Sequence, residues 1–298
     1  MKIIQCVPNF SEGKDLEKVE AITSVFKDKP GIKLISVEPD PNYNRTVVTL
    51  LGDPDAIKEA VLDMVGKTTE LIDLNTHVGE HPRMGATDVI PFVPIRGIKM
   101  KECVKLAEEV GRILSERYKI PVFLYEEAAK TELRTNLSDI RKGEFEGMKT
   151  KIKDPLWTPD FGSPEIHATA GATAVGARSP LVAFNINLDT TNIKIAEEIA
   201  KTIRFSSGGY RFIKAGSAEI LDKGIVQVTM NITNYKKTSI YRVFETVKME
   251  AKRYGINVLG SEIIGLVPME ALTESISYYL GLTDFDPKKV LESHIIDK

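Results

Sequence analysis

The hydrophobic pattern of the second half of the chain limits the fold most. Leu181 to Leu188 reads as a strand and Ile193 to Ile203 as a helix, with apolar residues returning every three or four positions. Arg211 to Ile220 and Val226 to Thr233 read as two strands joined at the turn Asp222-Lys223-Gly224. Val243 to Tyr254 is helical and Ile256 to Leu266 strand-like, and Pro268 opens a last helix to about Tyr279. The order β-α-β-β-α-β is that of the ferredoxin-like arrangement.

The first half is compatible with the same plan plus an extra helix. Ile3 to Val7 is a short strand, and Asp15 to Phe26 has helical spacing through Leu16, Val19, Ile22 and Phe26. Ile32 to Val37 and Arg45 to Leu51 are strands that pair across the turn-rich Pro39 to Asn44. Asp53 caps and Pro54 starts a helix running to about Ile72. Val89 to Ile95, Lys101 to Tyr118 and Val122 to Tyr125 read as strand, helix and buried strand. Thr131 to Ser179 shows little periodicity and is rich in Gly and Pro, the mark of a functional loop region. The expected fold class is therefore α/β (α+β): two ferredoxin-like sandwich subdomains, 1–178 and 179–298, with ligand between them.

Composition narrows the function. The 298 residues hold 40 basic and 42 acidic side chains, a net charge of -2, which gives no reason to expect nucleic acid or an anionic membrane as partner. There is no apolar stretch of about 20 residues and no leader-like N-terminus, so a cytoplasmic protein is expected. Cys6 and Cys103 are too few for a disulfide framework and sit in apolar surroundings, as buried reduced thiols do.

Chemistry concentrates in His77-Val-Gly-Glu-His81-Pro-Arg83-Met-Gly85-Ala-Thr-Asp88. Histidine is the side chain best suited to proton transfer near neutral pH, and three of the chain's four, His77, His81 and His167, fall in Gly/Pro-rich segments. His294, in the charged tail, is expected to be solvated. His77 and His81 stand four apart, as a zinc pair on a helix would, but Gly79 and Pro82 break a helix and no third ligand motif follows, so no metal is expected. Glu80 and Asp88 are carboxylates able to orient an imidazole. Arg83 either pairs with a substrate carboxylate or bridges two strands as a structural ion pair. Glu38 either carries a proton beside His81 or pairs with Arg45. Asn9 and Ser11 either cap the next helix or face a ligand at the end of the first strand. Gly171-Ala-Thr-Ala-Val-Gly-Ala-Arg178 has the look of a phosphate-binding loop, but it lacks the Gly-Lys-Ser/Thr ending and a strand follows. Its small residues either let backbone approach a flat ring or make a tight crossover between the halves.

Six segments together carry a resemblance: Cys6-Val-Pro-Asn-Phe-Ser-Glu-Gly13, Asn44-Arg-Thr-Val47, Gly79-Glu-His-Pro-Arg-Met-Gly85, Pro159-Asp-Phe-Gly162, Gly171 to Arg178, and Ala183-Phe-Asn-Ile-Asn-Leu188. In this order they closely resemble the glutamate formimidoyltransferase family, the formiminotransferase part of formimidoyltransferase-cyclodeaminase, from about residue 3 to about residue 280. The resemblance implies transfer of a formimino group from N-formimino-L-glutamate to tetrahydrofolate in histidine breakdown. It also implies two α/β subdomains that sandwich a folate in a ligand tunnel between them, and a homodimer. It places the catalytic histidine at His81. The proton transfers of that reaction then call for Glu38 or Asp88 to fix its tautomer, and the glutamate carboxylates of both substrates for Arg45, Arg83 and Arg178 as clamps. Asn9 at the strand end is the further expected substrate contact. Folate contacts are implied at Gly162, Ser163, Pro164, Glu165, Ile166, His167, Ala168, Thr169, Ala170 and Gly171, with Arg178 beyond. Tetrahydrofolate is then the one-carbon acceptor, with no metal.

The chain departs from the family at three places. Glu38 stands where relatives often carry aspartate, Ala170 stands where animal enzymes have tryptophan before Gly171, and His167 is extra. The end at residue 298 leaves out the cyclodeaminase part, a possible separate partner chain. Two other readings stay open: a glutamate formyltransferase, since amidine and amide donors look alike from the sequence, and a folate-binding protein without turnover. A metal-dependent hydrolase built on His77 and His81 is a third. Donor preference, folate polyglutamylation and the direction of flux are not legible.

Overall fold

Pro8 has no N–H to give to a ladder, and the first strand breaks on it into β1 (Ile3–Cys6) and β2 (Asn9–Phe10). Both pieces lie between the same two neighbours, β4 (Arg45–Gly52) and β5 (Thr87–Arg96). With α1 (Leu16–Thr23), β3 (Ile32–Asp40) paired antiparallel to β4, and α2 (Pro54–Leu71), they complete a β-α-β-β-α-β unit. The chain then adds more than the extra helix expected. After α3 (Met100–Tyr118) come β6 (Val122–Glu126), the short helices α4 (Leu137–Arg141) and α5 (Glu144–Lys151), and β7 (Thr173–Ala177). β7 inserts parallel between β5 and β6, so the sheet runs β3-β4-β1/β2-β5-β7-β6.

The structure is a computed structural model that describes residues 1–293, so the expectation for His294 lies outside the described residues. The chain divides into two compact units, Met1–Arg178 and Ser179–Lys298. In the first, α2 and α3 bury one stripe each, Ile57, Ala60, Val61, Met64 and Val65, and Cys103, Leu106, Val110 and Leu114, against Ile4, Leu50, Ile90 and Val175 of the sheet. Asp53 accepts from the Asp55 and Ala56 amides and starts α2 as anticipated. A second cluster on the same unit joins Val89, Phe123, Ala174 and Tyr125 to Ile140 and Met148 of α4 and α5. Both cysteines are buried and reduced.

Two expectations change here. The Gly171 to Arg178 segment is a strand at its core rather than a loop or a crossover: that core is β7, wholly buried, and its residues are small because the sheet leaves no room. A Cβ on Gly176 would stand 2.5 Å from the Tyr125 ring. The 131–179 segment is therefore less irregular than its composition suggests.

The second unit follows the expected plan. β8 (Val182–Leu188), α6 (Ile193–Ile203), β9 (Ile213–Ile220), β10 (Ile225–Ile232), α7 (Ile240–Arg253) and β11 (Val258–Ile264) form an antiparallel sheet in the order β11-β8-β10-β9. Burial alternates along β8, with Val182, Phe184, Ile186 and Leu188 in the core. Ala196, Ile199, Val243 and Val247 of α6 and α7 meet them there, and α8 (Met269–Leu280) ends the fold. No described helix is long and apolar enough to cross a membrane.

Candidate active site

The residues of the His77–Asp88 segment take their places because three other segments hold its backbone. The Glu80 and His81 amides donate to the carbonyls of Asn42 and Tyr43, in the turn between β3 and β4. Gly79 allows this approach, since a Cβ there would stand 2.4 Å from the Tyr43 oxygen. At the other end, Ala86 donates to Ala170 and Ala172 donates to Met84, so Gly85 and Gly171 form a bridge. The Phe145 amide donates to the Arg83 carbonyl and brings α5 against the same loop. The histidine motif and the expected folate loop, about 80 residues apart in sequence, are thus hydrogen-bonded neighbours.

Asp88 is set by a bulge. Thr87 pairs with Phe10 and Val89 with Asn9, so Asp88 is the extra residue on β5, an irregularity that re-aims a side chain beside functional sites. Its carboxylate is fully buried. Oδ1 accepts from the Met84 amide at 2.9 Å, and Oδ2 accepts from Arg141 Nη2 and faces His81 Nε2 at 3.6 Å. Burial opposes the charge of this carboxylate, but the Arg141 guanidinium, His81 and the Met84 amide outweigh it and hold the group below the usual carboxylate range. His81 is itself only 5% exposed, with Tyr43 edge-on at 6.4 Å between ring centres. Arg45 lies over the Tyr43 ring at 5.6 Å, and burial followed by the charge of Arg141 lowers its pKa. His81, Asp88, Arg141, Arg45 and Tyr43 therefore form one cluster.

Other expected residues do different work. His77 is held neutral: its Nε2 donates to the Asn44 carbonyl at 2.8 Å while Nδ1 accepts from Arg83 Nε at 3.3 Å, and burial lowers its pKa. With both nitrogens engaged by the protein it is not poised as a ligand. Arg83 is paired within the protein, with a helix and not across two strands: it grips Glu146 of α5 with two hydrogen bonds of 2.8 and 2.9 Å and adds one to Glu144 at 3.0 Å. Glu38 is exposed and paired in register with Val47, which pairs with Asn9, which pairs with Val89. Three strand spacings, about 14 Å, separate its backbone from Val89. Asp88, not Glu38, is the carboxylate beside His81, and Glu38 makes no pair with Arg45. Asn9 donates to the Val7 carbonyl at 2.9 Å, and Ser11 ties its hydroxyl to the Gly85 carbonyl at 2.8 Å. Neither caps α1, whose cap is Asp15. Arg178 begins beyond β7, five residues and about 16 Å of extended strand from Thr173 at the other end, and its charge acts on Cys6 and Tyr125.

The 162–171 loop is pinned at its base. Gly162 and Gly171 adopt φ of +93° and +69°, His167 and Gly171 exchange backbone hydrogen bonds, and His167 Nδ1 accepts from the Ala170 amide at 3.0 Å. Ser163, Pro164, Glu165 and Ala168 are exposed while Ala170 is buried. The preceding Pro159-Asp-Phe-Gly162 is structural: Asp160 pairs with Arg134 at 2.8 Å, and Phe161 lies against Gly111 of α3. Sequence reasoning missed Arg141 and Tyr43. Arg141 sits in a run of mixed charge, Asp139-Ile-Arg-Lys, and only its 53-residue separation from Asp88, closed by the fold, gives it meaning.

Residues 3–178 match the family described as Formiminotransferase domain, N-terminal subdomain, and residues 183–294 match Formiminotransferase domain. The chain is 50% identical over 296 residues to a glutamate formimidoyltransferase of Streptococcus pyogenes serotype M1, covering 99% of each chain. It is 45% identical over 294 residues to a glutamate formimidoyltransferase of Thermoplasma acidophilum, covering 98% of this chain and 97% of the other. It is 40% identical over 284 residues to the formimidoyltransferase-cyclodeaminase of Mus musculus, matching 93% of this chain and 52% of the mouse protein, so it spans about half of that relative's length.

Proposed function

The chain belongs to the formiminotransferase family, and on that premise we propose that His81 is the proton carrier of its reaction, with Asp88 fixing and charging the ring. The reaction moves the formimino group of N-formimino-L-glutamate to tetrahydrofolate and leaves L-glutamate, a step of histidine degradation. The observation that carries the assignment is the buried Asp88 carboxylate, held ionised by Arg141 and facing His81 Nε2 at 3.6 Å.

The chemistry needs one group that takes a proton and returns it. The pterin nitrogen attacks the amidine carbon, a new C–N bond forms, and that nitrogen must lose its proton. The tetrahedral intermediate then breaks its bond to the glutamate nitrogen, which must gain one. With Asp88 facing Nε2, the opposite nitrogen, Nδ1, accepts the first proton and donates it to the leaving amine, and the imidazolium between the two steps is stabilised by the carboxylate. The loop 162–171 is the folate contact in this reading, supported by its exposed residues 163–165 and by its hydrogen bonds to the His81 segment. Tetrahydrofolate is a substrate here. A cytoplasmic homodimer completes the proposal; Leu272, Ile276 and Leu280 support a partner, since they stand four apart along α8 and are all exposed.

Glutamate release from formiminoglutamate and tetrahydrofolate tests the assignment. His81→Ala should lower turnover about 10²-fold or more with folate affinity kept. Near-normal turnover would remove His81 from the mechanism.

A further inference from the structure

The His81 cluster contains more donors than the protein satisfies. Arg45 Nε and Arg141 Nε are buried and without a hydrogen-bond partner, two of the four such side-chain atoms among the described residues; a third, His81 Nε2, faces Asp88 Oδ2 at 3.6 Å. Leaving a buried donor unmade costs roughly 1–3 kcal/mol, and more for a charged group. Two at one place point to an acceptor that arrives with a ligand. Two carboxylates act on the arginines, and neither fills the gap. Asp88 accepts from Arg141 Nη2 and from the Met84 amide, and Asp40, which attracts Arg45, accepts from the Asn42 and Tyr43 amides. Arg83, the other arginine of the histidine motif, is already held by Glu144 and Glu146.

The missing acceptor is anionic, since two guanidiniums face it, and planar with two oxygens, since that shape matches an arginine fork. It also lies close to the proton-transfer ring, because a single carboxylate oxygen, Asp88 Oδ2, touches Arg141 and faces His81. Of the donor's two carboxylates, the α-carboxylate sits on the carbon that bears the reacting nitrogen, and the γ-carboxylate is three carbons from it. We infer that Arg141, together with Arg45, binds the α-carboxylate of the formimino donor and so sets which amino acid is accepted and how its nitrogen meets His81. The inference rests on the proposed reaction at His81 and names the donor subsite of that reaction.

The full chain is tested with three donors: N-formimino-L-glutamate, its α-carboxamide and its γ-carboxamide. The wild type should lose kcat/KM on the order of 10²-fold on the α-carboxamide, the scale of leaving a buried charged donor unpaired. In Arg141→Met the parent donor and the α-carboxamide should react with equal kcat/KM, with discrimination against the γ-carboxamide and the KM for tetrahydrofolate unchanged. A uniform loss on all three donors would overturn the inference, because Arg141 would then serve only to hold Asp88. Equilibrium dialysis of labelled L-glutamate gives a readout without turnover: affinity should fall about 10²-fold in Arg141→Met and recover in part in Arg141→Lys, and unchanged affinity in Arg141→Met also overturns it. If Arg141→Met does not fold, Arg45→Gln leaves the Asp88–Arg141 pair intact and should show the same loss of glutamate. A wild type that releases no glutamate from any donor sinks the reaction at His81, while the dialysis still decides the arginine subsite.

Discussion

Asp88 is buried without any exposure and is nevertheless charged, because Arg141, the Met84 amide and the edge of His81 surround it. Asp88→Asn keeps the shape and removes the charge. It should leave Arg141 without its partner and cost about 3–5 kcal/mol of stability, the range for breaking a buried pair from one side. Turnover should fall with it, since the imidazolium loses its counter-charge. The pH dependence has a definite sign. The folded carboxylate titrates below its unfolded value, so its contribution is present above about pH 4 and is lost as pH falls through the folded value. The melting difference between wild type and Asp88→Asn should be constant near neutrality and shrink below about pH 4; a gap that widens in acid would contradict this. From the sequence, His81 and Asp88 were legible as one polar segment, because both lie in a short Gly/Pro-rich stretch. Their geometry was not, because it depends on a bulge that only the register of β2 against β5 reveals.

At the scale of elements, the helices and antiparallel strands of the second unit were legible because their burial alternates with the period of each structure, as along β8 and α6. β7 was not. Thr173-Ala-Val-Gly-Ala177 is buried on both faces, as parallel strands are, so no alternation marks it. Its small residues mimic a loop for the same reason that they fit, which is that Tyr125 and β5 crowd them. The stretch just before β7 binds the histidine segment to the 162–171 loop, and Gly171 is its tightest point: φ is +69°, and an added Cβ would meet the Met84 carbonyl oxygen at 2.2 Å. Gly171→Ala should therefore part the Met84–Ala172 and Ala86–Ala170 hydrogen bonds. The expected cost is about 1–3 kcal/mol of backbone strain, read as a lower denaturation midpoint, together with a fall in kcat as the Asp88 and His81 backbone shifts. Wild-type stability and kcat in this variant would show that the bridge is not what aligns the site.

At the scale of the molecule, the two units carry separate cores. Ile186, Val228, Ile199 and Val247 belong to a cluster made only of residues after 181, whereas the His81 cluster and its supports all precede 179. Each unit also completes its own sheet, and the second is a full β-α-β-β-α-β set with local connections. At roughly 120 residues such a set buries enough apolar surface to fold alone. The expressed fragment 179–298 should therefore unfold in one cooperative transition and have no transferase activity. Ile186 is fully buried at the middle of β8, so Ile186→Ala should cost about 2–5 kcal/mol in the fragment. The same loss should appear in the full chain if the core is self-contained, since sites that share no partners add. Urea titrations of the four proteins, followed by circular dichroism, measure both numbers. A fragment without a transition, or a penalty in the full chain far from that in the fragment, would mean that the second core draws its stability from residues outside it.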